Sequence, residues 1–233
     1  MSYRIAIYFA PDATGPLWRK AAQWLGRDPL TGAHCCDDIG GIARAEIEAK
    51  SASARRYGFH ATIKSPMQLA EGASEADLAA ALRAFAGAHG PVRIGPMKLA
   101  RIDGFLALVP AEQPQALTDF AAAVVKAFEP YRAPVSAADR ARRNAGGRLS
   151  ARQLELLECY GYPYVLEQFQ FHMTLTDRLA PSDQERFEAA LLDHLGPLAT
   201  AEAVLDRLVL YHEAEPGAPF DRGEDFLLEG TGR

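Results

Sequence analysis

The 233-residue sequence contains the same order of structural signals twice. In each half, a segment with strand-like alternation is followed by a helical repeat of apolar residues, a connector and a strand that carries a His-x-Thr tripeptide. A helix with an N-terminal cap, a Gly-Pro stop and a further strand complete each copy. A chain that repeats this α+β plan, with few connections of βαβ length, is expected to form antiparallel sheets with helices on one face.

The repeat predicts a single bilobal domain over residues 1–233. Lobe one covers about residues 1–101, and lobe two covers about residues 102–233. The sheet faces that the helices leave uncovered are expected to meet and form a central cleft. Residues 130–165 have no counterpart in the first half and are rich in arginine, and insertions of this length tend to be functional.

The two His-x-Thr tripeptides are the strongest candidates for a functional site. In a strand, residues two positions apart project from the same face, so His60 shares a face with Thr62 and His172 shares a face with Thr174. Apolar residues occupy the opposite faces and belong to the core. The two pairs are therefore predicted to face each other across the cleft. A single tripeptide would carry little weight, and the prediction depends on the pair.

Two facing imidazoles suit acid–base catalysis at neutral pH, because histidine titrates near ~6.5. One neutral ring can take a proton from water while the other, protonated, gives one to a leaving oxygen. A threonine hydroxyl beside each ring can donate a hydrogen bond to a phosphoryl oxygen as charge develops there. This chemistry requires no metal and no cofactor, so none is expected.

Residues 59–63 (FHATI) and 171–175 (FHMTL) resemble the two signature motifs of the 2H phosphoesterase superfamily. The longer segments 56–64 and 161–165 resemble one branch of it, a bacterial family of proteins of unknown function often associated with phosphonate-utilisation operons. The resemblance covers nearly the whole chain. It implies a duplicated bilobal α+β fold, two antiparallel sheets around a central cleft with helices on the outside.

The same resemblance implies roles for the four motif residues. His60 and His172 would be catalytic, and Thr62 and Thr174 would hold the phosphate. The implied activity is metal-independent hydrolysis of a small, commonly cyclic, phosphodiester, with a connection to phosphonate metabolism. We therefore expect an enzyme, a phosphoric diester hydrolase.

Three further residues are candidates for substrate binding. Tyr57 flanks the first motif. If the strand runs unbroken, Lys64 shares the cleft face with Thr62 and can neutralise phosphate charge, although its ammonium group could equally reach solvent at the strand end. Arg143 lies beside the hinge-like residues 144–147 in the insertion, which we interpret as a substrate lid, because guanidinium groups bind phosphate in bidentate fashion. A solvated helical face explains the same arginines equally well.

Alternatives remain open from the sequence. One is an RNA 2′,3′-cyclic phosphate end-processing phosphodiesterase or ligase-like protein, although compact RNA enzymes of the superfamily lack the 130–165 segment. A second is a non-catalytic module that binds a phosphate ligand. A third is a metallohydrolase that uses His34 and Asp37.

Charge and hydropathy limit the partners. The net charge is −5, whereas six arginines and one aspartate between Tyr131 and Arg152 give that segment +5. Long nucleic acid is therefore disfavoured, and a small phosphorylated substrate is expected. No stretch approaches ~18 uninterrupted apolar residues, and the N-terminus lacks a secretory signal pattern. We expect a cytoplasmic protein without a membrane partner, and the oligomeric state is left open.

Overall fold

The computed structural model describes residues 4–144 and 147–230. The described strands are β1 (Arg4–Phe9), β2 (Ala61–Met67), β3 (Val92–Ile102), β4 (Phe105–Pro110), β5 (Met173–Thr174), β6 (Glu202–Leu205), β7 (Arg207–Glu213) and β8 (Phe220–Leu227). The described α-helices are α1 (Pro16–Leu25), α2 (Arg44–Ala49), α3 (Ala52–Tyr57), α4 (Glu75–Ala88), α5 (Gln115–Ala127), α6 (Ala137–Arg143), α7 (Ala151–Tyr160) and α8 (Pro181–Leu195). Short 3₁₀ helices cover Glu129–Tyr131, Leu166–Gln168 and Gly196–Ala199.

The strands form two four-stranded sheets in which every pairing is antiparallel. Sheet one has the order β2-β1-β7-β8, and sheet two has the order β5-β4-β3-β6. The predicted α+β architecture with two antiparallel sheets is confirmed. Among the described helices, none combines the length and apolar character needed to cross a bilayer.

The two sheets are not built from contiguous halves of the chain. Strand β3 from the first half pairs with β4 and β6 in sheet two, whereas β7 and β8 from the second half complete sheet one beside β1. The predicted lobe boundary near residues 101 and 102 is therefore wrong at the level of the strands. The reason is a tight turn at Asp103 and Gly104, both with positive φ, which keeps the chain in the same sheet across that boundary.

The chain returns to sheet one within a segment whose pattern predicts a single strand over residues 203–211. In the structure, Asp206 divides this segment into β6 and β7, which belong to different sheets. The carbonyl of Asp206 accepts a hydrogen bond from the backbone amide of Leu228, 2.8 Å away. Asp206 and Arg207 interrupt the apolar run by only two residues, which gives no clear sequence signal for this change of sheet.

Most helix boundaries follow the local sequence signals. Helix α1 begins at Pro16 and ends before Gly26, which has a φ of 73°. The side chain of Ser74 accepts a hydrogen bond from the amide of Asp77 and completes a capping box on α4. Residues 130–165, expected to be loop-like, contain α6 and α7 instead. The N-cap of α8 is Ala180, so this helix, unlike α4, has no side-chain cap.

One apolar core joins the two sheets. It contains Ile5, Ile7 and Phe9 from one face of β1, together with apolar residues of the second motif such as Phe171. The rings of Phe9 and Phe171 lie 5.9 Å apart. The indole of Trp24 is buried and donates a hydrogen bond to the carbonyl of Leu175 at 2.9 Å, linking α1 to the second half. The sheets therefore share a common hydrophobic core, while Ala6 and Tyr8 on the opposite face of β1 belong to a second buried cluster with Trp18 and Tyr211.

Candidate active site

The two motifs meet at one cavity of about 220 Å³. His60 and Thr62 from the first motif and Thr174 from the second motif line it, and we call it the His–Thr cavity. His172 does not line this cavity, although its charge contributes to the lowered pKa of His60. Other lining residues are Arg4, Tyr8, Ser53, Ala54, Tyr57, Gly58, Ser65, Pro66, Arg142, Arg143, Tyr162 and Asp177.

His60 stands immediately before β2 and is fixed by two hydrogen bonds. Its Nδ1 lies 2.9 Å from the carbonyl oxygen of Gly58, and its Nε2 lies 3.2 Å from the hydroxyl of Thr62. Because a carbonyl can only accept, Nδ1 carries the hydrogen, and Nε2 of the neutral ring keeps a lone pair. Gly58 has a φ of 75°, and a Cβ there would lie 2.6 Å from Pro29, so only glycine fits this turn.

His172 has the same arrangement in the second motif. It stands immediately before β5, and its Nδ1 lies 2.8 Å from the carbonyl oxygen of Gln170, two residues upstream. The same argument assigns the hydrogen to Nδ1 and leaves Nε2 available. Both imidazoles are therefore anchored through Nδ1, and Nε2 of His60 also accepts a hydrogen bond from the hydroxyl of Thr62.

Tyr8 forms the wall behind His60. The two rings stack with centroids 3.8 Å apart and planes 19° apart. Burial, together with the charge of His172, lowers the pKa of His60 from its usual 6.5 to about 4, with burial the larger cause. Burial also raises the pKa of Tyr8 well above its usual value, so the phenol stays neutral. At neutral pH, His60 is accordingly an uncharged ring.

Sequence reasoning missed Tyr8, although a signal for it was present. In β1, the core residues Ile5, Ile7 and Phe9 alternate with Arg4 and Tyr8, so these two must face away from the core. Both line the His–Thr cavity. The same alternation that identified the core strand could therefore have identified two residues of the site.

Two of the three additional candidates lie at the cavity. Tyr57 is the last residue of α3, and its ring stacks on Phe220 with centroids 4.8 Å apart. Arg143 ends α6, and its guanidinium lies 5.0 Å from the ring centre of Tyr162. The half-buried position of Arg143 lowers its pKa from the usual value. Of the hinge-like residues 144–147, residues 145 and 146 lie outside the described residues.

Lys64 does not face the cavity, and that prediction is wrong. Tyr8 lies opposite Thr62 in the sheet, but Ile7 lies opposite Lys64, so Ile63 is an additional residue in a β-bulge. The bulge turns Lys64 to the core side. Its ammonium group is buried, where it donates hydrogen bonds to the carboxylate of Glu129 at 2.8 Å and to the carbonyl of Val125 at 3.2 Å.

Asp177 is a further cavity residue that sequence reasoning missed. Its carboxylate accepts hydrogen bonds from the backbone amide of Ser53, at 3.0 and 3.1 Å, and from that of Ala54, at 3.3 Å. These amides belong to the start of α3, the helix that leads into the first motif. Asp177 follows the second motif, so this contact connects the two motifs at the cavity.

Within residues 4–144 and 147–230, no group of three or more His, Cys, Asp and Glu side chains is arranged to hold a metal ion. The alternative ligands lie elsewhere: His34 and Asp37 do not line the His–Thr cavity, and Nδ1 of His34 lies 3.2 Å from the guanidinium of Arg55.

Solved structures that align with the chain include three that cover nearly all of it. TT0787 of Thermus thermophilus has a TM-score of 0.45 at 15% identity, covering 98% of this chain and 99% of its own. A structure described as a phosphoesterase has a TM-score of 0.43 at 12% identity, with 98% and 99% coverage. E. coli LigT complexed with 3′-AMP also has a TM-score of 0.43 at 12% identity, with 98% and 99% coverage.

Two curated relatives bear the name ribose 1,5-bisphosphate phosphokinase PhnN. The one from Janthinobacterium sp. (strain Marseille) is 35% identical over 234 residues, which cover 98% of this chain and 51% of the relative. The one from Laribacter hongkongensis (strain HLHK9) is 35% identical over 217 residues, which cover 93% of this chain and 50% of the relative. The chain thus spans about half the length of the curated relatives it matches.

The family relationship rests on a match that includes both threonines of the His–Thr cavity. Residues 62–221 match the model of a family described as "Protein of unknown function (DUF1045)". This is more than half of the chain, and the predicted relationship to a family of proteins of unknown function is confirmed. The chain belongs to the DUF1045 family.

Proposed function

We propose that this protein is a metal-independent phosphodiesterase that hydrolyses a small cyclic phosphodiester. The observation that carries the proposal is the matched orientation of His60 and His172. Each ring is held through Nδ1 by a carbonyl two residues upstream and keeps Nε2 for proton transfer. The motif threonines line the cavity beside His60. The resemblance of the motifs to those of 2H phosphoesterases supports the same chemistry.

In the proposed mechanism, His60 is the general base. It is neutral at physiological pH because burial lowers its pKa to about 4. Nε2 of His60 takes a proton from a water molecule whose oxygen forms a bond to phosphorus. On the far side of the phosphorus, the bond to the leaving oxygen breaks, and His172 in its protonated form gives that oxygen a proton. Exchange with solvent then restores both rings.

The phosphate is held by hydroxyl and guanidinium groups in this proposal. When substrate binds, the hydroxyl of Thr62 turns away from Nε2 of His60. Thr62 and Thr174 then donate hydrogen bonds to the two non-bridging oxygens, and Arg143 neutralises the charge that accumulates on them. The geometry that supports these roles is the presence of all three side chains at the His–Thr cavity. Tyr57 completes the wall of the cavity at the end of α3.

We further propose a role in phosphonate metabolism, which is supported by the PhnN name of the relatives. That name also makes a kinase a second candidate function. However, the chain spans only about half of those relatives. The sequence also contains no G-x-x-x-x-G-K-[ST] segment, the phosphate-cradling loop of P-loop kinases. These observations favour the phosphodiesterase for this chain.

The purified protein should be incubated with a panel of cyclic phosphates in the presence of EDTA, and the products followed by ³¹P NMR. The panel should include nucleoside 2′,3′- and 3′,5′-cyclic phosphates, ribose 1,2-cyclic phosphate and RNA that ends in a 2′,3′-cyclic phosphate. We expect opening of a small cyclic phosphate to a phosphomonoester, with unchanged rate in EDTA.

Other outcomes would favour the alternatives. Turnover of RNA ends alone would favour an RNA end-processing enzyme, and activity lost in EDTA and restored by metal would favour a metallohydrolase. Binding of cyclic phosphates without turnover would favour a phosphate-ligand-binding module. Transfer of phosphate from ATP to ribose 1,5-bisphosphate would favour the kinase.

A further inference from the structure

A second cavity, of about 390 Å³, opens beside the His–Thr cavity. Six residues line both cavities, so the two form one continuous space; they are Arg4, Tyr57, Ser65, Pro66, Arg142 and Arg143. Five arginines line the second cavity, which we call the arginine pocket; they are Arg4, Arg56, Arg132, Arg142 and Arg143. The pocket lies between the His–Thr cavity and the first part of the 130–165 insertion, which contributes Arg132 and Ala133 to its lining.

The insertion reaches the pocket because it is bonded to the end of β2. The backbone amide of Ala133 donates a hydrogen bond to the carbonyl of Gln68 at 2.9 Å, and the amide of Ala70 donates one to the carbonyl of Tyr131 at 2.9 Å. These bonds fix Arg132 against sheet one. The side chain of Arg132 is held further by Glu129, at 2.8 Å from Nε.

The carboxylates around the pocket do not balance its arginines. A single buried carboxylate, that of Glu213, is shared by Arg4 and Arg56. Glu129 is likewise shared, between Arg132 and the buried Lys64.

The remaining two arginines have one carboxylate between them. Asp139 pairs with Arg142 at 2.7 Å, and Arg143 has no carboxylate partner within the described residues. Six cationic groups, the five arginines and Lys64, thus meet three carboxylates. This network of ion pairs, which includes Lys64 outside the pocket lining, carries an excess of three positive charges in a protein whose net charge is −5.

The other well-paired arginines of the insertion lie outside this pocket. Arg140 pairs with Glu158, and Arg152 pairs with Glu155 and Glu167. Neither arginine lines the arginine pocket. The five arginines of the pocket therefore form one compact cationic cluster next to His60, which suits a small multiply charged ligand better than a long strand of nucleic acid.

We propose that the arginine pocket binds a second phosphate group of the same molecule whose phosphodiester is cleaved at His60 and His172. This inference rests on the proposed function and specifies the substrate class, a small cyclic phosphodiester that also carries a separate phosphomonoester. Guanidinium groups bind a phosphate dianion through paired, charge-assisted hydrogen bonds.

The proposal can be tested first by binding, which does not require turnover. Adenosine 3′,5′-bisphosphate and adenosine 3′-monophosphate should be compared by isothermal titration calorimetry. We expect the bisphosphate to bind about 10- to 100-fold more tightly, the usual effect of charge-assisted hydrogen bonds to one more charged group. Equal affinities, or no binding of either ligand, would overturn the proposal.

Two variants, each with a matched control, test whether the arginine pocket causes the preference for the bisphosphate over the monophosphate. Arg142→Gln and Arg56→Gln should each reduce the bisphosphate preference by about tenfold. Arg140→Gln is the control for the first, because Arg140 lies on the same helix and pairs with Glu158 instead. Arg55→Gln is the control for the second, because the adjacent Arg55 contacts His34 and Glu48 and does not line the pocket. A preference that survives both pocket variants would overturn the proposal.

Measurements of turnover distinguish a failure of this inference from a failure of the proposed function. Adenosine 2′,3′-cyclic phosphate should be compared with its 5′-phosphorylated form, and we expect about 10- to 100-fold higher kcat/KM for the latter. Equal kcat/KM values would overturn the second-phosphate subsite and leave the phosphodiesterase intact. Absence of turnover, with a bisphosphate preference that still depends on Arg142, would support the subsite and count against the phosphodiesterase. A further gain with longer RNA would overturn the small-molecule substrate in favour of an RNA strand.

Discussion

The imidazole of His60 stacks on the phenol ring of Tyr8, with 3.8 Å between ring centroids. Tyr8 belongs to the central part of sheet one, where β1 is bonded on both sides, so its ring is a rigid support. The stack both fixes the orientation of His60 and shields one face of the ring from water. The neutral state of His60 therefore depends on β1 as well as on the His-x-Thr motif.

Removing this support should change the pH dependence of catalysis. In Tyr8→Ala, water reaches the imidazole, so the pKa of His60 should rise from about 4 toward its usual 6.5. The acid limb of the kcat/KM profile should move to higher pH, and kcat/KM at pH 7 should fall roughly tenfold, as expected for loss of an aromatic pair.

Tyr8→Phe is the matched control for this experiment. It keeps the stacked ring and removes only the hydroxyl, so its acid limb should coincide with that of the wild type. Thermal unfolding of both variants establishes that they are folded at the assay temperature. An acid limb that stays in place in Tyr8→Ala would mean that the stack does not set the protonation of His60.

Replacing either motif histidine should abolish most of the activity. In the proposed mechanism each ring carries one proton transfer, so His60→Ala and His172→Ala should each lower kcat by about 10²- to 10⁴-fold. If the two rings act in one concerted step, kcat of the double variant should be only slightly lower than kcat of the less active single variant. Steady-state kinetics on the best substrate of the cyclic phosphate panel measures these effects.

His34→Ala is the control for the histidine variants, because His34 does not line the His–Thr cavity. Its kcat should equal that of the wild type, with or without EDTA. A large loss in His34→Ala, together with near-normal turnover in His172→Ala, would move the chemistry to the loop that holds His34 and Asp37.

The lowered pKa of His60 also predicts how stability depends on pH. Between about pH 6.5 and 4, the unfolded chain binds a proton at this residue more readily than the folded protein does. Stability from this residue is therefore complete above pH 6.5 and is lost as the pH falls toward 4. The loss should be on the order of 3 kcal/mol, because the pKa falls from 6.5 to about 4 and each pKa unit corresponds to about 1.4 kcal/mol.

Urea unfolding of the wild type and His60→Gln at several pH values between 4 and 7 isolates this contribution. His194, whose pKa burial also lowers, is present in both proteins and cancels in the comparison. The free energy of unfolding should fall more steeply with acid in the wild type than in His60→Gln. Parallel curves would show that His60 titrates normally in the folded protein.

The sequence was sufficient for the parts of the molecule that depend on local signals. Alternation and capping predicted β1, α1 and α4, and the repeated motif predicted that side chains from both halves line one cavity, as Thr62 and Thr174 do. Long-range strand pairing was different. Which sheet β3 and β7 join depends on contacts between distant segments, and a strand carries the same pattern in either sheet.

The position of Lys64 could not be predicted for a related reason. A β-bulge adds one residue to a strand without changing its composition, so the spacing of Thr62 and Lys64 still indicates a common face. Only the pairing of β2 with β1 reveals that Ile63 is the additional residue. The arginine pocket likewise escaped prediction, because it combines Arg4 and Arg56 with arginines of the insertion.

The buried pair of Lys64 and Glu129 gives a final prediction, which separates a structural role from a catalytic one. Lys64→Met keeps much of the volume of the side chain but removes its charge, and Glu129 keeps Arg132 as a partner. The free energy of unfolding should fall by roughly 1–3 kcal/mol, less than for a carboxylate left without any partner. In contrast, kcat and KM at temperatures where the variant is folded should match the wild type, because the ammonium group lies on the core side of β2.

Arg143→Gln is the comparison at the His–Thr cavity, where we expect KM to rise about tenfold or more with little change in stability. If Lys64→Met instead raised KM with unchanged stability, the ammonium group would have to reach the substrate, and the bulge at Ile63 would not persist in the substrate complex.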